Sequence, residues 1–124
     1  MAEDILSGRR VLVVEDEYYL ADELTRAARD AGVIVLGPVP RVEAAFDILE
    51  NGEAPDAAIL DMNLGGVSAE TIADALLKRG VPFLITTGYD HASLPQRFGA
   101  VRRLEKPVAP SAVLRALRHV VTPT

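Results

Sequence analysis

Residues 55–66 read Pro55-Asp56-Ala57-Ala58-Ile59-Leu60-Asp61-Met62-Asn63-Leu64-Gly65-Gly66 and set the architecture expected for the rest of the chain. They form an apolar run that ends at a carboxylate and then continues into two glycines. A short apolar run bounded by turn residues is typical of a parallel strand covered on both faces. Because ligands bind at the carboxyl ends of strands in open α/β sheets, Asp61 is the first candidate functional residue.

Apolar runs with strand character recur along the chain and alternate with helical periodicity. We predict five strands, at residues 10–14, 33–39, 57–60, 83–87 and 101–105. Gly37 and Pro38 are expected to end the second strand early. Arg102 and Arg103 indicate that the fifth strand lies at an edge of the sheet.

Five helices are predicted from apolar residues spaced three or four apart. A short fourth helix is expected at residues 92–98, where Pro95 interrupts it. The other four apolar faces are Leu20, Leu24, Ala27, Ala28 and Ala31; Val42, Ala45, Phe46 and Leu49; Ile72, Ala75 and Leu76; and Val113, Ala116, Leu117 and Val120. Gly32 is expected to end the first helix, and Asn51-Gly52 the second. Ser68 is expected to cap the third helix, which ends at Gly80, and Pro110 is expected at the first position of the last helix.

Strands that alternate with helices predict an α/β fold with a five-stranded parallel sheet and helices on both faces, because parallel strands need right-handed crossovers. The expected strand order is 2-1-3-4-5, a flavodoxin-like arrangement. The first and third strands are then neighbours at the topological switch point, where ligands bind.

Composition restricts the function classes. The chain has 124 residues, no cysteine, and a formal charge of -5 from 18 acids against 13 Lys and Arg, which argues against autonomous nucleic-acid binding. Its apolar runs are far shorter than the ~18 residues of a membrane span. We therefore expect one domain over residues 1–124, without disulfides or a leader, in a cytoplasmic protein that does not bind membranes.

Polar side chains follow four of the predicted strands. An ordinary role as a solvated loop acid or a helix cap explains Asp61 alone as well as a functional role does, but the whole set suggests a binding site. Three clustered carboxylates repel one another and favour a cation, and all-oxygen ligands favour Mg²⁺ or Mn²⁺. The set consists of Glu15 and Asp16 after the first strand, Asp61 after the third, Thr86 and Thr87 at the end of the fourth, and Lys106 after the fifth.

This set suits phosphoryl chemistry. The backbone carbonyl of Asn63 is a further ligand for the metal, and the Asp61 carboxylate is a nucleophile able to form an acyl phosphate. Lys106 can pair with a phosphoryl oxygen as a point charge. The Thr87 hydroxyl can donate a hydrogen bond to another phosphoryl oxygen.

The chain resembles the receiver domain of two-component response regulators over nearly its whole length. The resemblance implies that Asp61 is the phosphoacceptor, that Glu15, Asp16, Asp61 and Asn63 bind the metal, and that Thr87 and Lys106 contact the phosphoryl group. The Lys106–Pro107 peptide is commonly cis in this family. The motifs that carry the resemblance are Val-Leu-Val-Val-Glu-Asp-Glu, Ile-Leu-Asp-Met-Asn-Leu, Thr-Thr-Gly, Gly99-Ala100 and Leu104-Glu105-Lys106-Pro107.

The resemblance also implies a function and partners. A sensor histidine kinase or a histidine phosphotransfer protein would pass a phosphoryl group to a single-domain response regulator that lacks an output domain. The protein would signal by contact with a downstream protein through its fourth and fifth strands and helices. It would not be an enzyme, apart from its own phosphorylation and dephosphorylation.

Two positions depart from the receiver pattern. Arg103 stands where the family usually has Tyr or Phe, and Val108 where Phe is frequent. Without that aromatic, the signal is expected to travel through the 87–92 loop and the weak fourth helix. Phe83 and Thr87-Gly88-Tyr89 resemble the Phe-Ala-Thr-Gly-x-Tyr pattern of an alphaproteobacterial subfamily that also lacks the aromatic and is associated with HWE-type kinases, although Leu84-Ile85-Thr86 intervene.

Two alternatives remain. A small Mg²⁺-dependent phosphatase of the haloacid dehalogenase type also uses an Asp, a hydroxyl and a Lys, but it normally has a second acid where this chain has Asn63. A receiver-like binding module that is never phosphorylated usually lacks one of these residues.

Other side chains have ordinary interpretations. Tyr18 and Tyr19 are candidates for kinase contact, although packing is the default. His91 and His119 are expected to be solvent-facing. A basic patch, expected on the output surface, would consist of Arg102, Arg103, Arg115 and Arg118.

Overall fold

The computed structural model describes residues 4–88 and 94–122. Five parallel strands form one sheet in the order β2-β1-β3-β4-β5. The predicted fold class and strand order are therefore confirmed, and β1 and β4 have the predicted bounds. The strands are β1 Arg10–Val14, β2 Ile34–Val39, β3 Ala57–Asp61, β4 Phe83–Thr87 and β5 Arg102–Glu105.

Helices cover both faces of the sheet. Buried side chains of α1 and α4 pack on one face, and those of α2 and α3 pack on the other. Both faces of β3 are buried as a result, which explains why its sequence is a continuous apolar run. The helices are α1 Tyr18–Asp30, α2 Val42–Asn51, α3 Glu70–Lys78 and α4 Pro110–Val121.

Two predicted elements differ from the structure. β2 does not end early, because it continues through Gly37 and Pro38 to Val39. It is an edge strand, where a proline without an N–H is tolerated. In place of the short fourth helix, the described residues contain only a 3-10 turn at Gln96–Phe98. Ala92 and Ser93 of that predicted helix, and residues 89–92 of the predicted 87–92 loop, lie outside the described residues.

A small hairpin between β3 and α3 was not predicted. Asn63–Leu64 pairs with Val67–Ser68 around Gly65 and Gly66, whose φ angles are 63° and 93°. Two consecutive residues with positive φ are what a two-residue hairpin turn requires. Ser68 is therefore a strand residue, and Ala69 is the residue that precedes the helix, so the predicted Ser68 cap is corrected. The Ser68 hydroxyl nevertheless accepts a hydrogen bond from the Glu70 N–H at 3.2 Å.

The sheet brings the ends of its strands to one edge. Asp61 is paired in register with Thr86, and Thr87 with Glu105. The polar residues at the carboxyl ends of β1, β3, β4 and β5 consequently meet at this edge. No helix in the described part of the chain has the length and apolar character needed to cross a membrane.

Candidate functional site

Three acidic side chains meet at the carboxyl edge of the sheet. Carboxylate oxygens of Glu15, Asp16 and Asp61 lie within 4.8 Å of one another. Glu15 and Asp61 are each only 3% exposed, whereas Asp16 is exposed to solvent. The structure thus brings together the three acids that the strand pattern predicts to be close.

Lys106 neutralises part of this negative charge. Its ammonium group donates hydrogen bonds to Glu15 Oε2, Asp61 Oδ2 and Glu17 Oε1, each at 3.0 Å. The Lys106 N–H donates to the Thr87 carbonyl at 2.7 Å, which extends the β4–β5 pairing to the lysine. The Lys106–Pro107 peptide bond is cis, as the resemblance implies.

Burial changes the protonation of the site. Burial raises the pKa of Glu15 to about 7, and the nearby negative charge of Asp61 contributes to this rise. Hydrogen bonds from the Glu17 backbone N–H and the Lys106 ammonium group oppose the rise. Burial also raises the pKa of Asp61, although the Asn63 N–H and Lys106 oppose it. Burial alone would lower the pKa of Lys106, but its hydrogen bonds to Glu15 and Asp61 outweigh burial and raise it.

The hairpin after β3 holds Asn63 beside Asp61. The Asn63 N–H donates to Asp61 Oδ1 at 3.0 Å, and the Asn63 side-chain oxygen accepts from the Gly66 N–H at 2.7 Å. On Asp61, one oxygen therefore faces a backbone amide and the other faces the Lys106 ammonium.

Thr87 ends β4 next to the site. Among the described residues, its hydroxyl is buried and has no hydrogen-bond partner, and the same holds for Thr86 and Thr25. A buried hydroxyl without a partner costs free energy. Thr87 therefore has a donor available for a group that binds at this edge.

The donor set fits a hard divalent cation. It consists of carboxylate oxygens from Glu15, Asp16 and Asp61, without sulfur or imidazole, which favours Mg²⁺ or Mn²⁺ over zinc. The raised pKa values of Glu15 and Asp61 indicate that one ammonium group does not fully stabilise their ionised forms, which a bound cation would stabilise further.

The contact between Glu17 and Lys106 is not predicted by the sequence pattern. Glu17 lies 89 positions from Lys106, and its N–H also donates to Glu15 Oε2 at 3.0 Å. The only sequence signal was its place directly after Glu15 and Asp16. A contact of this kind depends on where the loop after β5 directs the lysine, which periodicity does not specify.

The remaining candidates lie at the surface. Tyr18 and Tyr19 are 76% and 80% exposed and contact each other edge to face, so neither packs in the core. Arg118 binds Asp4 at 2.7 Å, which leaves Arg102, Arg103 and Arg115 as the exposed members of the predicted basic patch. His119 is exposed as expected, and Tyr89 and His91 lie outside the described residues.

Replacing Glu15 by Gln should change the pH dependence of stability. With its pKa raised from 4.5 to about 7, native Glu15 binds a proton over a pH range in which the unfolded chain has released it. The native state then binds more protons, so the free energy of unfolding falls as pH rises through this window. We expect Glu15→Gln to flatten that decline in urea unfolding experiments.

The matched control for this measurement is Glu43→Gln, which removes an exposed acid from the first turn of α2. Its decline with pH should follow that of the wild type. A Glu15→Gln variant with the wild-type pH dependence would contradict the protonation assigned to the buried acid.

Comparisons with known proteins agree on one family. The family profile described as response regulator receiver domain matches residues 11–118. The transcriptional regulatory protein PdtaR of Mycobacterium tuberculosis is 28% identical over 125 residues, which cover 96% of this chain and 60% of PdtaR. The chain thus spans about 60% of the length of this curated relative.

Solved structures are similar in fold and sequence. SdrG from Sphingomonas melonis Fr1 is 34% identical, with a TM-score of 0.78, and the match covers 98% of this chain and all of that one. The signal receiver domain of a modulated diguanylate cyclase from Desulfovibrio desulfuricans G20 is 26% identical, with a TM-score of 0.72, over 91% of this chain and 93% of that one.

Proposed function

The chain belongs to the response regulator receiver domain family, and from this membership we propose that Asp61 is the residue that accepts the phosphoryl group. Members of this family are phosphoacceptors of two-component signalling, and the comparisons do not favour the phosphatase alternative. The observation that carries the assignment is a buried carboxylate at the end of β3, held 3.0 Å from the Lys106 ammonium group.

The proposed reaction is a direct phosphoryl transfer. A carboxylate oxygen of Asp61 attacks the phosphorus of a phosphohistidine on a partner protein, which forms a P–O bond. The P–N bond breaks, and its electrons remain on the imidazole nitrogen, which then takes a proton from solvent. The product is an acyl phosphate on Asp61.

Lys106 and Thr87 have distinct roles in this proposal. Lys106 pairs its ammonium group with a phosphoryl oxygen and stabilises the charge transferred with the group. The buried Thr87 hydroxyl, which has no hydrogen-bond partner among the described residues, donates to another phosphoryl oxygen. The donor of Thr87 would thereby become satisfied only in the phosphorylated state.

A bound Mg²⁺ or Mn²⁺ would neutralise charge on the transferring phosphoryl group. Glu15, Asp16 and Asp61 would hold it through carboxylate oxygens, together with the backbone carbonyl of Asn63. The cluster of three acids at the carboxyl edge supports this assignment.

The proposed partners follow from the family. Receiver domains interact with histidine kinases or phosphotransfer proteins, and we propose such a donor here, of the HWE type, in the cytoplasm. The output is a contact with a downstream protein through the face of β4, β5 and α4, where Arg102, Arg103 and Arg115 are exposed. Neither nucleic acid nor a membrane is part of this proposal.

The experiment that tests the proposed function is phosphorylation by a small acyl phosphodonor, followed by intact-mass spectrometry. Wild-type protein with Mg²⁺ should gain the mass of one phosphoryl group. A chelator should prevent this gain, because the acids alone repel the donor. Equal labelling with Mg²⁺ and with the chelator would contradict the metal's role, and no labelling in either case would contradict the function.

Thr87→Val should increase the stability of the protein and weaken the binding of a phosphoryl group. Valine keeps the shape and removes a buried hydroxyl without a partner among the described residues, so we expect a gain of about 1 kcal/mol in the free energy of unfolding. The affinity for beryllofluoride, a phosphoryl mimic, should fall about tenfold because one hydrogen bond is lost. Urea unfolding and calorimetric titration measure the two quantities.

Thr25→Val is the matched control for this variant. The Thr25 hydroxyl on α1 is also buried without a partner in the described part of the chain. The control should gain similar stability while its affinity for beryllofluoride stays at the wild-type value. Unchanged affinity in Thr87→Val would count against the role of the threonine.

A further inference from the structure

Glu17 is an exposed acid to which the proposed function assigns no role, yet it contacts the ammonium group of Lys106. An ammonium group has three N–H donors. Glu15, Glu17 and Asp61 each accept one hydrogen bond from Lys106 at 3.0 Å. All three donors of the lysine are therefore engaged by carboxylates before any phosphoryl group arrives.

Phosphorylation of Asp61 changes what Lys106 must bind. Once Asp61 carries the phosphoryl group, the phosphoryl oxygens need a donor from Lys106, and Glu15 and Glu17 are the carboxylates that still compete for the lysine. The Glu17 side chain is 60% exposed, whereas those of Glu15 and Asp61 are 2% and 3% exposed. Water replaces Lys106 most readily at the exposed acid, where ion pairs are weakest. Glu17 is thus the carboxylate that competes with the phosphoryl group.

Repulsion between the Glu17 carboxylate and a phosphoryl group also disfavours phosphorylation. Glu17 and Asp61 accept hydrogen bonds from the same nitrogen at 3.0 Å, so a phosphoryl group on Asp61 would lie close to the Glu17 carboxylate. Like charges at such separations repel. We propose that Glu17 opposes phosphorylation of this receiver by competing for Lys106 and by repelling the phosphoryl group. It is a positioning residue because it contacts Lys106 and none of the reacting atoms, and the inference rests on the proposed function.

Beryllofluoride binding in the presence of Mg²⁺ tests this inference by calorimetric titration. Glu17→Gln keeps the side-chain shape but removes the charge, and neutral acceptors bind ammonium less strongly. We expect it to bind beryllofluoride roughly two- to fivefold more tightly than the wild type, the range of exposed ion pairs. Glu17→Ala, which removes the contact, should bind at least as tightly as Glu17→Gln.

Glu43→Gln is the control, because it removes an exposed acid in the first turn of α2 that makes none of the Lys106 contacts described above. Its affinity should equal that of the wild type. The advantage of Glu17→Gln should shrink at high salt, which screens exposed charges; a purely structural role would not have this salt dependence.

The outcomes separate the two proposals. Wild-type protein that binds beryllofluoride as tightly as both Glu17 variants, or more tightly, overturns the inference and leaves the proposed function intact. Wild-type protein that binds no beryllofluoride overturns the proposed function and this inference with it.

Discussion

Asp61→Asn is expected to abolish phosphorylation by a small acyl phosphodonor in the presence of Mg²⁺. The amide keeps the shape of the side chain and can still accept a hydrogen bond from the Asn63 N–H, so the fold should persist. An amide oxygen is a far weaker nucleophile than a carboxylate oxygen and cannot form the acyl phosphate. Intact-mass spectrometry should show only the unmodified mass.

Asp56→Asn is the matched control for this loss. Asp56 immediately precedes β3, at the opposite end of the strand from Asp61, where it is exposed and accepts a hydrogen bond from the Arg10 N–H at 2.8 Å. Asparagine can keep that hydrogen bond, and labelling should match that of the wild type. Labelling of Asp61→Asn to the wild-type extent would contradict the assignment of the phosphoacceptor.

Lys106→Met is expected to destabilise the protein by about 3 kcal/mol at about pH 8, because removing one partner of a buried ion pair leaves uncompensated charge. Here the charges left behind are the buried carboxylates of Glu15 and Asp61. The loss should be smaller at about pH 5, because Glu15, whose pKa burial raises to about 7, takes up a proton there and no longer leaves an uncompensated charge. Urea unfolding at the two pH values measures the difference.

Added Mg²⁺ should restore part of this loss, since a cation at the acids would replace the missing charge. Lys78→Met, which changes an exposed lysine in the last turn of α3, should have close to wild-type stability at both pH values. A Lys106→Met variant with wild-type stability at the higher pH would show that the lysine does not compensate the buried acids.

The fold was predictable from sequence wherever burial controls the pattern. β1 and β4 are apolar runs enclosed by helices, and both have the bounds expected from sequence. β2 is an edge strand with exposed residues, and its Gly37 and Pro38 resemble a strand end in sequence although an edge strand tolerates them. Local turn signals are thus reliable only when the position of the strand in the sheet is known.

The hairpin after β3 could have been recognised. Gly65-Gly66 between Leu64 and Val67 is a two-residue turn flanked by apolar residues, a signal for a hairpin. Its strands have only two residues each, below the length at which alternation becomes visible. The hairpin matters because it holds the Asn63 N–H against Asp61.

The site was predictable to the extent that topology determines it. Parallel strands place their carboxyl ends together, so the closeness of Glu15, Asp16 and Asp61 follows from the strand order. The contact between Glu17 and Lys106 does not follow, because it depends on side-chain positions in two loops that are far apart in sequence.

The position of the phosphoryl group on the chain shows whether Asp61 is the phosphoacceptor. After incubation with a small acyl phosphodonor and Mg²⁺, borohydride reduction converts an aspartyl phosphate to homoserine, which peptide mapping can locate. We expect homoserine at residue 61 of the wild type and none in Asp61→Asn. Homoserine at another acid, or a phosphoryl group on a side chain other than Asp61, would contradict it.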